Sequence, residues 1–132
     1  MFQLTPSEFK FTIENECCRL ATSFKDRPHV VPVSYIYENN FFYISTDYHT
    51  KKLYNVNKNP NVSLAVDIYK PNQNKGIVVN GIVRLIENGQ IYDKIYLLFY
   101  RKFEWVRNDP WKEGEAPFLE IKPYEKTSWG IN

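Results

Sequence analysis

The chain has 132 residues with a formal net charge of +2, 43% hydrophobic and 17% aromatic residues. That length gives one domain with a single sizeable core, and the near-balanced charge gives no ground for a nucleic-acid partner. The cysteines Cys17 and Cys18 are too close in sequence to bridge each other, and no Cys/His cluster has zinc spacing, so a reduced, cytoplasmic protein without a metal is expected.

The N-terminus lacks the basic and apolar regions of a signal peptide, and no run is long enough to cross a membrane. Thr5-Pro6-Ser7-Glu8 predicts a helix start: Thr5 caps, Pro6 suits the first position, and Glu8 completes a capping box. Leu4 and Phe9 are placed for a hydrophobic staple, and Phe9 and Ile13 form an apolar face up to Asn15. Cys17 to Phe24 reads as a strand, Lys25 to Pro28 as a hairpin connection, and Val30 to Tyr37 as a second strand. Pro32 lies inside that strand and cannot donate to a ladder, so it marks a plain edge or a place where a ligand replaces a neighbouring strand. Glu38 to Asn40 is a turn and Phe41 to Thr46 a third strand, giving an antiparallel meander.

A short helix is predicted from Thr50 to Lys58, with Thr50 (or Asp47) as N-cap, Leu53 and Val56 as its buried stripe, and Asn59-Pro60 as its stop. Its first turn holds Lys51 and Lys52. Cations there oppose the helix dipole by about 0.3–1 kcal/mol each, whereas the unpaired N–H groups of a helix N-terminus suit an anion. Two lysines at that end make sense if a phosphate binds. Asn61 to Tyr69 is a fourth strand, Lys70 to Lys75 a polar loop, and Gly76 to Glu87 a fifth strand. Asn80-Gly81 within the fifth strand signals a hairpin, a bulge or a bend. After Asn88-Gly89, Ile91, Ile95, Leu98, Phe99 and Phe103 give a helical stripe over Gln90 to Val106. Arg107 to Ala116 is a charged loop with Trp111, and Pro117 to Tyr124 a final strand. The whole is mainly β: about six antiparallel strands in a small closed or split barrel with flanking helices, without βαβ alternation.

The run from Cys17 to Val66 resembles the pyridoxamine 5′-phosphate oxidase-like family of FMN-binding split barrels. A strand ending in LAT, the hairpin segment RPHVVPV, the strand YIST, the helix TKKLYNVNKNP and the strand VSL occur in order, and Pro123 to Trp129 repeats a terminal P-x-x-x-x-x-W pattern. The resemblance implies a six-stranded split barrel, residues 1–132 as one domain, and a homodimer with flavin sites at the interface. It places the FMN phosphate at Thr50, Lys51 and Lys52. The isoalloxazine would lie along Pro32, Val33 and Ser34, with Tyr43, Ser45 and Thr46 near the ring and ribityl chain. His49 has two readings, a contact of the flavin or phosphate and a half-exposed helix-entry residue; Asn80 and Trp129 are weaker candidates that reach the partner's flavin.

The expected function is a flavin-dependent oxidoreductase acting on a small molecule that the sequence does not name. The alternatives are an F420-binding reductase, a flavin- or haem-binding module without turnover, and, remotely, a nucleic-acid-binding small barrel. The longer vitamin B6 oxidases carry an arginine-rich C-terminal segment that this sequence lacks, so pyridoxamine 5′-phosphate is not the expected substrate. His29 is expected as a turn residue rather than a haem ligand, Arg27 at the surface or an interface, and Tyr92, Tyr96 and Tyr100 in packing. No catalytic residue is assigned.

Overall fold

The computed structural model describes residues 2–132. Helix α1 spans Pro6–Glu14, followed by strands β1 (Cys17–Phe24), β2 (Arg27–Glu38) and β3 (Phe41–Ser45). Helix α2 (Lys51–Lys58) leads into β4 (Asn61–Lys70) and β5 (Gln73–Ile86), then α3 (Gly89–Lys102), α4 (Glu104–Asn108) and β6 (Phe118–Trp129). Every strand pairing is antiparallel, and the order β1-β2-β3-β6-β5-β4 closes through β1 against β4. The mainly β expectation of six strands with flanking helices holds.

The turns follow from residue chemistry. Lys25 and Asp26 (φ 52° and 60°) and Asn39 and Asn40 (φ 52° and 67°) take left-handed backbone in two-residue hairpins, the conformation that matches strand twist and that Asn and Asp tolerate best. The loop expected over Lys70 to Lys75 is instead a tight connection: Pro71 presets one central position, Asn72 takes φ 67°, and pairing resumes at Lys70–Gln73.

Asn80-Gly81 is a bulge within one continuous strand. The register against β6 slips there, with Asn80 opposite Glu125 and Gly81 opposite Pro123. A Cβ on Gly81 would lie 2.6 Å from Ile121 Cγ2 and 2.8 Å from the Lys122 carbonyl oxygen, so only glycine permits the two strands to approach at this bend.

Two apolar clusters result from the alternation of strand side chains. The barrel interior holds Leu20, Tyr35, Phe42, Ile44, Leu64 and Ile121, all essentially inaccessible. Phe11 from α1 and Leu53 and Val56 from α2 join it. The second cluster lies on the other face, where Tyr43, Ile86 and Phe118 meet Tyr92, Ile95 and Phe99 of α3.

Three local expectations change. α1 buries Glu8, Phe11 and Thr12, while Phe9 and Ile13 are exposed; Phe9 rests edge-on against Tyr37 at 6.1 Å rather than completing a staple with the buried Leu4. The barrel mouth, not the helix's local periodicity, selects that face. The long helix breaks at Phe103, whose backbone is extended (φ −114°, ψ 119°) so that its ring can enter the second cluster. Finally, β6 runs five residues past Tyr124, because β5 continues alongside it as far as Gly76–Trp129.

Candidate ligand site

The β2 strand has an unpaired edge. β1 pairs with it from Arg27 to Ser34, but β3 pairs only from Tyr35 to Glu38. The Tyr35 N–H donates to the Glu16 carbonyl, so in the alternating antiparallel ladder the odd-numbered residues of β2 bond toward β1 and the even-numbered ones toward the open side. Pro28 and Pro32 both fall on even positions. Each lacks an N–H where no strand would receive one, so neither disturbs the barrel. The remaining backbone groups of this edge, including those of Ser34, are available to a flat ligand.

The edge ends near the turn that enters α2. Thr46 is buried, and its hydroxyl lies 3.0 Å from that of Thr50. Both hydroxyls donate to the Asp47 carbonyl, at 3.2 and 3.1 Å. Tyr48 pins the turn by donating to Glu87 at 2.8 Å, and His49 completes it with φ 70°, a strained conformation for a residue with a side chain. Thr50 is the N-cap: its hydroxyl accepts from Leu53 N–H at 3.4 Å and its carbonyl accepts from Tyr54 N–H at 3.1 Å. The first-turn amides of Lys51 and Lys52 have no acceptor among the described residues, and that turn holds no acid.

The two lysines differ. Lys51 is exposed, with its ammonium 5.6 Å from the Tyr54 ring centroid. Lys52 lines a cavity of about 430 Å³ together with Ser45, Thr46, Trp105, Asp109 and Trp111. Burial pushes its pKa below the usual lysine value, and the Asp47 carboxylate partly offsets that. A desolvated ammonium with no salt-bridge partner among the described residues, beside free helix amides, suits a phosphate.

Other expected residues lie elsewhere. The Tyr43 side chain faces α3, is buried in the second cluster, and donates to Glu120 Oε2 at 2.8 Å, while Arg84 donates to the other carboxylate oxygen at 3.1 Å. Burial and the Glu120 carboxylate raise its pKa; the phenol is a structural anchor rather than a group open to a ring on β2. Asn80 donates to Glu125 at 2.5 Å. Trp129 donates to Asn74 at 2.9 Å and covers Gly76, where a Cβ would fall 2.6 Å from the indole. Neither shares a cavity with Lys52. Of the remaining residues, Cys17 and Cys18 are free, the first exposed and the second buried, with burial pushing the Cys18 thiol up to about 12. The larger hollow of about 590 Å³, between Phe2 and Lys126, contains none of the expected site residues.

The sequence pattern does not point to the wall formed by Trp105, Asp109 and Trp111, because Arg107 to Ala116 reads as a charged loop. Two tryptophans six positions apart in a polar stretch were the available signal. Among the described residues, no group of His, Cys, Asp and Glu could hold a metal, and no helix is long and apolar enough to cross a membrane.

The sequence matches the family described as pyridoxamine 5′-phosphate oxidase over residues 5–129. No curated protein matches it. Among solved structures it is similar to the haem storage protein HutZ from Vibrio cholerae, with 14% identity, a TM-score of 0.85, and 99% of this chain and 98% of that one covered. It is also similar to a FAD-binding protein from Mesorhizobium loti, with 24% identity, a TM-score of 0.74, and 95% and 94% covered. An F420 reductase has 17% identity, a TM-score of 0.67, and 89% and 94% covered. At these identities the structural likenesses establish the shared fold.

Proposed function

This chain belongs to the pyridoxamine 5′-phosphate oxidase family, and on that premise we propose that it binds FMN and acts as a flavin-dependent oxidoreductase on a small molecule. The observation that carries the reading is the α2 N-terminus: two unpaired amides and the desolvated Lys52, with no internal acid, beside the open edge of β2. The phosphate is held by the amides of Lys51 and Lys52, the Lys52 ammonium and the hydroxyl of Thr50. The isoalloxazine lies along Pro32, Val33 and Ser34, whose open edge offers backbone groups to its polar rim. Ser45 and Thr46 face the ribityl chain.

Bound flavin supplies the hydride or electron transfer, and the chain's residues position it and exclude water. A second copy of the chain completes the ring site, which accounts for Asn80 and Trp129 lying away from Lys52 in this protomer. Cytoplasmic placement belongs to the same proposal.

The test compares FMN with riboflavin, which lacks the phosphate. Lys52→Ala should weaken FMN binding about 10- to 100-fold, as expected for losing a charge-assisted hydrogen bond, and leave riboflavin binding unchanged. Equal weakening of both ligands, or of neither, rejects the phosphate site. Absorbance of the copurified small molecule separates FMN from F420 and haem, and turnover with NAD(P)H separates an enzyme from a binding module.

A further inference from the structure

The cavity that receives Lys52 extends beyond what one phosphate occupies. Its volume of about 430 Å³ lies in the range of about 300–1,000 Å³ typical of small-molecule sites. Its far wall is the Trp105–Trp111 pair, whose rings are stacked at 6.1 Å with planes 14° apart. Trp111 is fixed: its indole N–H donates to the Tyr92 hydroxyl at 2.8 Å, its backbone N–H donates to the Tyr96 hydroxyl at 3.2 Å, and its ring stands edge-on to Tyr96 at 5.0 Å. Trp105 lies on this rigid base and remains 43% exposed.

Trp105 also lies against Phe103 at 5.8 Å, and its outer face opens into a cavity lined by an ammonium and carboxylates. Asp109 lines the same cavity and has no side-chain partner among the described residues. Glu115, on the same wall, accepts from the Lys112 backbone N–H at 2.8 Å.

Three kinds of group therefore share one cavity: the Lys52 cation, an aromatic platform and unpaired carboxylate oxygens. Together they match an adenosine phosphate. The phosphate takes the Lys52 end, the purine stacks on the exposed indole, and the ribose diol donates to a carboxylate. Asp109 and Glu115 make the tryptophan end acidic, which suits a neutral nucleoside, whereas Asp47 lies at the Lys52 end.

We propose that the Lys52–Trp105–Asp109 cavity is a subsite for the adenosine phosphate of a dinucleotide, with FAD the ligand whose flavin extends along β2. This rests on the flavin reading above and refines it, because FMN would leave the tryptophan wall empty.

Binding is read by titration calorimetry with FMN, FAD, NADH and 5′-AMP as separate ligands. FAD should bind the wild-type protein about tenfold or more tightly than FMN, the gain typical of one stacked base. Trp105→Ala should abolish that preference while FMN affinity stays constant, and Asp109→Asn, at an exposed position, should reduce it. Equal affinity for FMN and FAD in the wild type, or equal weakening of both by Trp105→Ala, overturns the subsite. A preference that depends on Trp105 for NADH, but not for FAD, likewise overturns the assignment to FAD. If neither flavin binds, the flavin reading fails and 5′-AMP decides alone: binding heat that Trp105→Ala removes supports the subsite, and its absence in the wild type overturns it.

Discussion

Helices α1 and α2 begin alike and end up with opposite chemistry. Each has a threonine N-cap, Thr5 and Thr50, whose hydroxyl accepts from a backbone N–H of the first turn. In α1 the chain supplies its own anion. Glu8 accepts from Thr5 N–H at 2.8 Å and from the Ser128 hydroxyl at 2.7 Å, and forms a close ion pair with Lys126. Burial alone would raise the Glu8 pKa, but Lys126, the Thr5 amide and Ser128 together pull it down to about 2. In α2 two lysines occupy the corresponding turn, and no carboxylate answers the free amides. One terminus is closed by a buried polar network that ties α1 to β6. The other is left for an anion from outside. The contrast separates a helix start that holds the fold together from one that holds a ligand.

The largest expected effect comes from breaking the closed terminus. Glu8→Ala leaves the Thr5 amide unanswered and Lys126 without its counter-charge, holding only the Gln3 carbonyl, and should cost about 3 kcal/mol, the scale for removing one member of a buried ion pair. Urea unfolding measures it, and flavin affinity of the folded protein should not change. The same carboxylate fixes an acid dependence. Its folded pKa lies below its unfolded value of 4.5, so its stabilisation is complete above about pH 4.5 and is lost as pH falls toward 2. Wild-type stability should fall through that window, and Glu8→Gln should flatten the profile there.

Giving α2 an internal anion should erase the contrast. Lys52→Glu complements the helix dipole and should stabilise the ligand-free protein by about 0.3–1 kcal/mol, while FMN affinity drops by about two orders of magnitude as attraction becomes repulsion. If stability rises and FMN affinity persists, the terminus is not where the phosphate binds. The smallest effect is at the shared feature. Thr50→Ala removes a cap and should cost about 1 kcal/mol of stability, together with a modest loss of FMN affinity, since its hydroxyl serves both.

The contrast between the two helices was legible in the sequence. Thr5, Pro6 and Glu8 announce a capping box, and Lys51 and Lys52 stand out because they lie at the unfavourable end of a helix. The strand edge was half legible: Pro32 marked a missing donor, but only the register between β1 and β2 shows that Pro28 and Pro32 share the open side. Tyr43 shows the limit. Alternation along β3 splits its side chains between two faces, and both faces are apolar here, so nothing local identifies the one covered by α3. The exposed face of α1 is hidden for the same reason, since Phe9, Phe11 and Ile13 are equally apolar.

By itself the sequence determined what local chemistry dictates: helix caps, the hairpin connections after the first and second strands, the antiparallel meander of the first three strands, and a cationic helix start that asks for an anion. Tertiary structure alone decided how β1 meets β4 to close the barrel, which side of β3 takes α3, and that Trp105 and Asp109 stand across a cavity from Lys52. These contacts join residues more than forty positions apart along the chain. No periodicity or capping rule spans such a separation; only the packing of α3 and α4 onto the outside of the barrel brings the two segments together.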